Sequence, residues 1–166
     1  MATTMEPLAS ITTGSGATEV TFSSISTAFR DLRIVIRGGL TGATYWRVMF
    51  NGVTGNYTLA YGAGNGSSVS GSWTNGQSRG YLHYDSWVWD GANSIQVDIM
   101  DAFTTDKHKG YISRLSKPYS PSGGNGHVEM LFGTWQSTDA ISSIVVAPQG
   151  YAIATGTTIS LYGVKA

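Results

Sequence analysis

A chain of 166 residues with 41% hydrophobic side chains is long enough for one domain with a sizeable core, and at 11% aromatic it is too rich in large rings for a disordered chain. Lys+Arg 10 against Asp+Glu 10 give a formal net charge of +0, which excludes a basic field steering the chain onto nucleic acid or an anionic membrane. Cysteine is absent, which excludes disulfides and thiolate metal sites.

Residues 1–16 have no basic start and no long apolar stretch and so read as no signal peptide; nowhere does the chain approach the ~18 apolar residues of a membrane span. Residues 1–10 are expected to form an N-terminal arm and 11–166 a single β-sandwich domain. The first strand candidate covers 6–12, where Pro7 favours an edge or a strand start. A turn at Gly14-Ser15-Gly16 precedes a half-buried alternation around Val20 and Phe22. Residues 24–30 have room for a short turn of helix. Residues 31–37 set Leu32, Ile34 and Ile36 against Arg33, Val35 and Arg37, and residues 44–50 set Trp46, Val48 and Phe50 against Tyr45, Arg47 and Met49. Asn51-Gly52 closes that strand, and Tyr57, Leu59 and Tyr61 begin another.

Residues 62–78 are rich in Gly, Ser and Asn and read as a long polar loop. Further strands are expected at 81–89, 94–101, 109–115, 127–135, 141–147 and 157–164, with a loop at 117–126. Within 127–135, Val128, Met130 and Phe132 alternate with His127, Glu129 and Leu131. Asn65-Gly66, Asn75-Gly76, Asp90-Gly91 and Asn125-Gly126 supply further turn chemistry, because Asn and Gly tolerate the positive φ that tight hairpins require. Roughly nine or ten strands at this spacing predict an all-β, jelly-roll-like antiparallel β-sandwich, ahead of an immunoglobulin-like one.

Motifs for chemistry are sparse. Residues 62–68 (GAGNGSS) resemble a phosphate loop only superficially, since no helical pattern follows and no lysine sits at the required position. Asp85, Asp90, Asp98, Asp101 and Asp106 lack calcium-loop spacing, and His83, His108 and His127 lie on separate segments. No nucleophile elbow occurs, and Asp98 and Glu129 are the nearest thing to an acid pair. The chain therefore reads as non-enzymatic, with no cofactor, no metal, no nucleic acid and no membrane partner. Of the five tryptophans, Trp46, Trp87 and Trp135 are expected in the core. Trp87 and Trp89 share a strand face, while Trp73 sits in the polar stretch and points to an interface or ligand. The candidates for such contacts are Trp73, Trp87, Trp89, Asn65 and Tyr119.

The ordered phrases ITTGSGATEVTFSSI, FRDLRIVIRG, FNGVTGNY, GNGSS, LFGTWQSTDAISSIVV and ISLYGVKA cover most of the chain. In that order the sequence resembles small β-rich virion structural proteins of tailed bacteriophages, cyanophages included. The resemblance implies a jelly-roll protein on the exterior surface of the phage particle. Its foremost role would be a capsid decoration (cement or knob) protein, a homotrimer bound to the major capsid protein or other virion proteins. The alternative it implies is a tail or fibre adhesion module that binds host surface glycan through residues 62–78 and 117–126.

Overall fold

The computed structural model describes residues 4–84, 93–118 and 126–165. The expectations for Asp85, Trp87, Trp89, Asp90, Tyr119 and the turns at 90–91 and 125–126 fall wholly or partly outside them. Among the described residues twelve strands form: β1 (Met5–Thr12), β2 (Val20–Phe22), β3 (Asp31–Gly38), β4 (Trp46–Phe50), β5 (Tyr57–Gly64), β6 (Val69–Gln77), β7 (Gly80–Tyr81), β8 (Asn93–Met100), β9 (Lys109–Lys117), β10 (His127–Trp135), β11 (Ile144–Pro148) and β12 (Thr158–Val164). All pair antiparallel, in an eight-stranded sheet β1-β12-β3-β8-β9-β10-β5-β6 and a four-stranded sheet β2-β11-β4-β7.

The fold is an all-β, jelly-roll-like sandwich. From β2 onward the chain crosses between the sheets: β2 lies in the small one, β3 in the large, β4 in the small, β5 and β6 in the large, β7 in the small. It returns through β10 in the large sheet and β11 in the small one. The halves β2-β11-β4-β7 and β3-β10-β5-β6 follow jelly-roll order, with β8 and β9 inserted between β3 and β10. The insertion, together with β1 and β12 beside β3, widens one sheet only.

Several readings of the sequence change. The strands among the described residues number twelve rather than roughly nine or ten. Residues 62–78 are not a loop: β5 runs on to Gly64, and β6 returns along it through a turn at 65–68. Polar residues lie on both faces of β6 because it is nearly all exposed, so no alternation betrays it. Of the strand expected over 81–89, the described part is strand only at Tyr81, as the end of β7, and residues 82–84 have left it; 85–89 lie outside the described residues. Residues 24–30 hold a turn without helix. Residues 5–10, set apart above as an arm, are hydrogen-bonded along β12 from Met5↔Val164 onward, with a bulge between Pro7 and Ala9 that accommodates the missing proline N–H.

Alternation explains the core. Leu32, Ile34 and Ile36 of β3 face Ile95, Val97 and Ile99 of β8 in one inward layer, all buried. Across it the small sheet supplies Trp46, Val48, Phe50, Ile144 and Val146. Aromatic rings bridge the layers: Phe50 lies 5.6 Å from Trp135 and 6.1 Å edge-on from Tyr111, centroid to centroid. Tyr57 is stacked on Trp135, and its hydroxyl accepts the Phe50 N–H at 2.9 Å. Burial pushes its pKa up to about 12.

Buried polar groups tie the layers further. The Tyr111 hydroxyl donates to the Tyr81 carbonyl at 3.1 Å, and Ser113 donates to Leu82 at 2.6 Å. The Lys109 ammonium is buried, yet donates to the carbonyls of Thr104, Lys107 and Thr138 at 2.6, 3.0 and 3.2 Å, closing the β8–β9 connection. Its pKa is pushed down by burial.

The Tyr111 ring reaches β7 because its cross-strand neighbour is Gly133. A Cβ at that position would lie 1.9 Å from the ring carbon Cζ. Gly133→Ala should therefore displace the ring and its bond to Tyr81, and lower unfolding stability by about 3 kcal/mol through overpacking. Urea unfolding of the variant measures this, with Gly62→Ala, where a Cβ meets nothing within 4 Å, as the near-neutral control.

Candidate interaction surface

β10 has apolar residues on both faces, so alternation alone leaves its orientation undecided. The structure turns His127, Glu129, Leu131 and Trp135 inward and Val128, Met130 and Phe132 outward. Burial of Glu129 is tolerable because its Oε1 accepts the Tyr84 N–H at 2.6 Å while its Oε2 lies 3.6 Å from His127 Nε2. Tyr84 in turn packs against Tyr45, Tyr61 and Tyr81, with centroids 5.8, 5.5 and 5.0 Å away.

The outward residues of β10 continue across the sheet in register. Phe132 pairs with Ile112 of β9 and Ala60 of β5, and Ala60 with Trp73 of β6. Met130 pairs with Arg114 and Gly62, then Gly71; Val128 pairs with Ser116 and Gly64, then Val69. Val69 is 88% exposed, Trp73 71%, Val128 62% and Phe132 51%. Glycines between Val69 and Val128 leave a shallow trough of about 480 Å³ lined by Gly62, Gly64, Val69, Arg114, Val128 and Met130. Contiguous apolar surface of this kind marks an interaction site, because water is excluded from it favourably by any partner of matching shape.

The other half of the same outer face is polar. Ser10 and Ser160, and Thr12 and Thr158, share hydroxyl hydrogen bonds across β1 and β12. Asp98 on β8 accepts from Arg33, from Arg114 Nη1 at 2.7 Å and from Gln96 at 3.2 Å. Arg114 therefore stands at the border, its charge engaged with the polar side. Among the described residues it is the one charged side chain in the apolar rows.

Of the residues singled out in the sequence, Trp73 is on this surface, whereas Trp46 and Trp135 are fully buried in the core as expected. Asn65 acts locally, since its Oδ1 accepts the N–H groups of Ser67 and Ser68, both at 2.9 Å, and locks the β5–β6 turn. Trp87, Trp89 and Tyr119 lie outside the described residues. Val69, Val128, Met130 and Phe132 were not singled out; the signal for three of them is an apolar residue at every second position of a strand whose other face mixes His127 and Glu129 with Leu131 and Trp135.

Residues 62–68 are a strand end and a hairpin turn, with β6 following where a phosphate loop requires a helix. Asp98 points out of the large sheet and Glu129 into the sandwich, so they do not flank one substrate. His83 is buried and its Nε2 accepts the Trp46 N–H at 3.0 Å, His127 sits beside Glu129, and His108 is exposed. Among the described residues no three His, Asp or Glu side chains converge as a metal site would require. No protein-family model, no curated protein and no solved structure matches the chain.

Burial pushes the Asp98 pKa up, but the hydrogen bonds from Arg33, Arg114 and Gln96 outweigh it and hold the carboxyl below its ordinary value. Its contribution to stability is thus complete above the unfolded value of about 3.9 and is lost as pH falls through the lower folded value. Asp98→Asn should cost stability at neutral pH, and the difference from wild type should shrink once the pH drops below about 4. Urea titrations at neutral and strongly acidic pH measure both.

Proposed function

We propose that this chain is a non-enzymatic structural protein of the bacteriophage virion surface, a capsid decoration (cement or knob) protein that stabilises the capsid. One observation carries the reading: the contiguous outward row of Val69, Trp73, Val128, Met130 and Phe132 on a stiff, wide sheet. The bacteriophage assignment rests on the resemblance of the ordered sequence phrases.

A decoration protein works by adding interface area between neighbouring capsid subunits, so that pressure from within must break extra contacts. This face suits that role. Full burial of a large apolar side chain contributes roughly 1.5–3 kcal/mol, and these residues start between 43% and 88% exposed. With Arg114 already paired to Asp98, few charges need desolvation on docking. The partners would be the major capsid protein and further copies of the chain, grouped as a homotrimer around a local symmetry axis.

Cryo-electron microscopy of the intact particle tests the proposal, with density expected at capsid symmetry axes. Met130→Ser/Phe132→Ser, both on the outer face, should keep the fold and reduce occupancy on particles at least tenfold. Full occupancy of the double variant, or density elsewhere, overturns the reading.

The exposed indole of Trp73, beside Thr74, Asn75 and Gln77, favours a second reading as a tail or fibre module that binds host surface glycan. That reading expects binding on a host-polysaccharide array, lost in Trp73→Ala. Silence across the array counts against it.

A further inference from the structure

The large sheet ends in two unlike edges. At the β1 edge, Pro7 and the bulge between Pro7 and Ala9 interrupt the row of backbone groups, and Glu6 is charged and ion-paired with Lys165. These are devices that stop a strand from pairing with another chain. The small sheet's outer strands, Val20–Phe22 and Gly80–Tyr81, are too short to template much. The β6 edge has none of this protection along Val69–Thr74: it contains no charged residue, no proline and no bulge until Gly76, whose φ is +66. Among the described residues no strand lies beyond it.

Register determines which groups that edge presents. The Asn65 N–H donates to the Ser68 carbonyl at 3.2 Å, so residues 65 and 68 exchange a backbone bond. Antiparallel pairs alternate between bonded and non-bonded, so Gly64↔Val69, Gly62↔Gly71 and Ala60↔Trp73 are the non-bonded pairs. The backbone N–H and C=O of Val69, Gly71 and Trp73 therefore point away from β5, to the free edge. The side chains of these same residues occupy the outer face, and Val69 and Trp73 are the two most exposed large hydrophobics described, at 88% and 71%.

We propose that β6 pairs antiparallel with β6 of a second copy of this chain, about a two-fold axis at Gly71. In that register Val69 faces Trp73 of the second copy, Gly71 faces Gly71, and Trp73 faces Val69, each pair exchanging both backbone hydrogen bonds. A β-branched residue opposite an aromatic is a favourable cross-strand pair, and here it covers the two side chains the monomer leaves most exposed. Glycine at the axis keeps the centre clear between the two indoles. No like charges meet, as an isologous contact requires of any charged strand. The axis stands perpendicular to the sheet, so the apolar rows of both copies join into one continuous face. The contact goes beyond decoration of a capsid: it is a property of the isolated chain, and its two-fold character is separate from any three-fold grouping.

Sedimentation velocity of the purified chain over a concentration series tests it, independently of any particle. An even-numbered assembly is expected, a dimer or, with three-fold contacts added, a hexamer. Val69→Lys/Trp73→Lys sets cation against cation across the axis and should halve the mass, while circular dichroism stays unchanged because both side chains are exposed. Val69→Lys/Trp73→Glu sets cation against anion and should restore it. Because the chain contains no cysteine, a disulfide can report the register. Ser70 and Ser72 of the second copy form a non-bonded pair with Cα atoms about 4.5 Å apart, within disulfide reach. Oxidised Ser70→Cys/Ser72→Cys should run as a covalent dimer, and Ser70→Cys alone should not. An odd-numbered wild-type assembly, a mass indifferent to the lysine pair, or cross-linking of the single variant equal to that of the double would each overturn the proposal.

Discussion

A four-stranded sheet does not cover an eight-stranded one, and that mismatch governs how this molecule presents itself. In a sandwich the buried layer is limited by the smaller sheet. Here the small sheet supplies Trp46, Val48, Phe50, Ile144 and Val146, and these sit over the inward faces of the central large-sheet strands. The flanks of the large sheet project beyond. On one flank β1 and β12 meet the exposure with Ser and Thr ladders and an ion pair. On the other, β6 extends with a nearly all-exposed strand that contains a valine and a tryptophan. With only two layers, nothing among the described residues covers the outward side of the wide sheet, so the rows from Ile112 to Trp73 become surface.

Inside, the two layers are held by more than apolar contact. Tyr111 lies over Gly133 and bonds the backbone of β7, Ser113 bonds the next residue, and His83 accepts the N–H of Trp46. Each is a polar side chain reaching a backbone group across the sandwich or along its end. Unmade, such bonds would cost on the order of 1–3 kcal/mol each, so they select one registration of the sheets. Glu129 belongs to the same set: its bond to the Tyr84 N–H helps determine which face of β10 is buried. The rigidity this confers matters outside, because an outward apolar row stays ordered for docking only if the strand beneath it does not rotate.

The sequence makes the central strands plain and the peripheral ones obscure, for one reason. Leu32, Ile34 and Ile36 alternate with charged or half-exposed neighbours because one side of β3 meets the core and the other meets water. Trp46, Phe50 and Asn51-Gly52 follow the same logic, and the turn has both residues at positive φ, 53 and 69. β6 meets water on nearly every side chain, so Ser, Gly, Thr and Asn appear at both parities and the strand reads as loop. β10 fails in the opposite way. Apolar residues at both parities hide the fact that Val128, Met130 and Phe132 are outside while a carboxylate is inside. Trp73 is legible as an anomaly, a large ring in a polar stretch, but its meaning needs the register that sets it in line with Ala60, Phe132 and Ile112.

Edge and face on this flank are one feature rather than two. In β6 the residues whose backbone groups are free are the residues whose side chains lie on the outer face, because both properties repeat with period two along a strand. Any chain that adds to the edge must therefore also set its side chains beside Val69 and Trp73, and any partner that covers the face meets the edge as its boundary. Uncharged at the rim, apolar across the middle and bordered by Arg114, whose charge is partly offset by the Asp98 carboxylate it shares with Arg33, the flank asks little desolvation of what approaches it. A protein selected to remain alone would be expected to place a lysine or proline along Val69–Thr74, where either is compatible with an exposed edge strand. The Val-Ser-Gly-Ser-Trp-Thr run has neither and leaves that edge open to another strand.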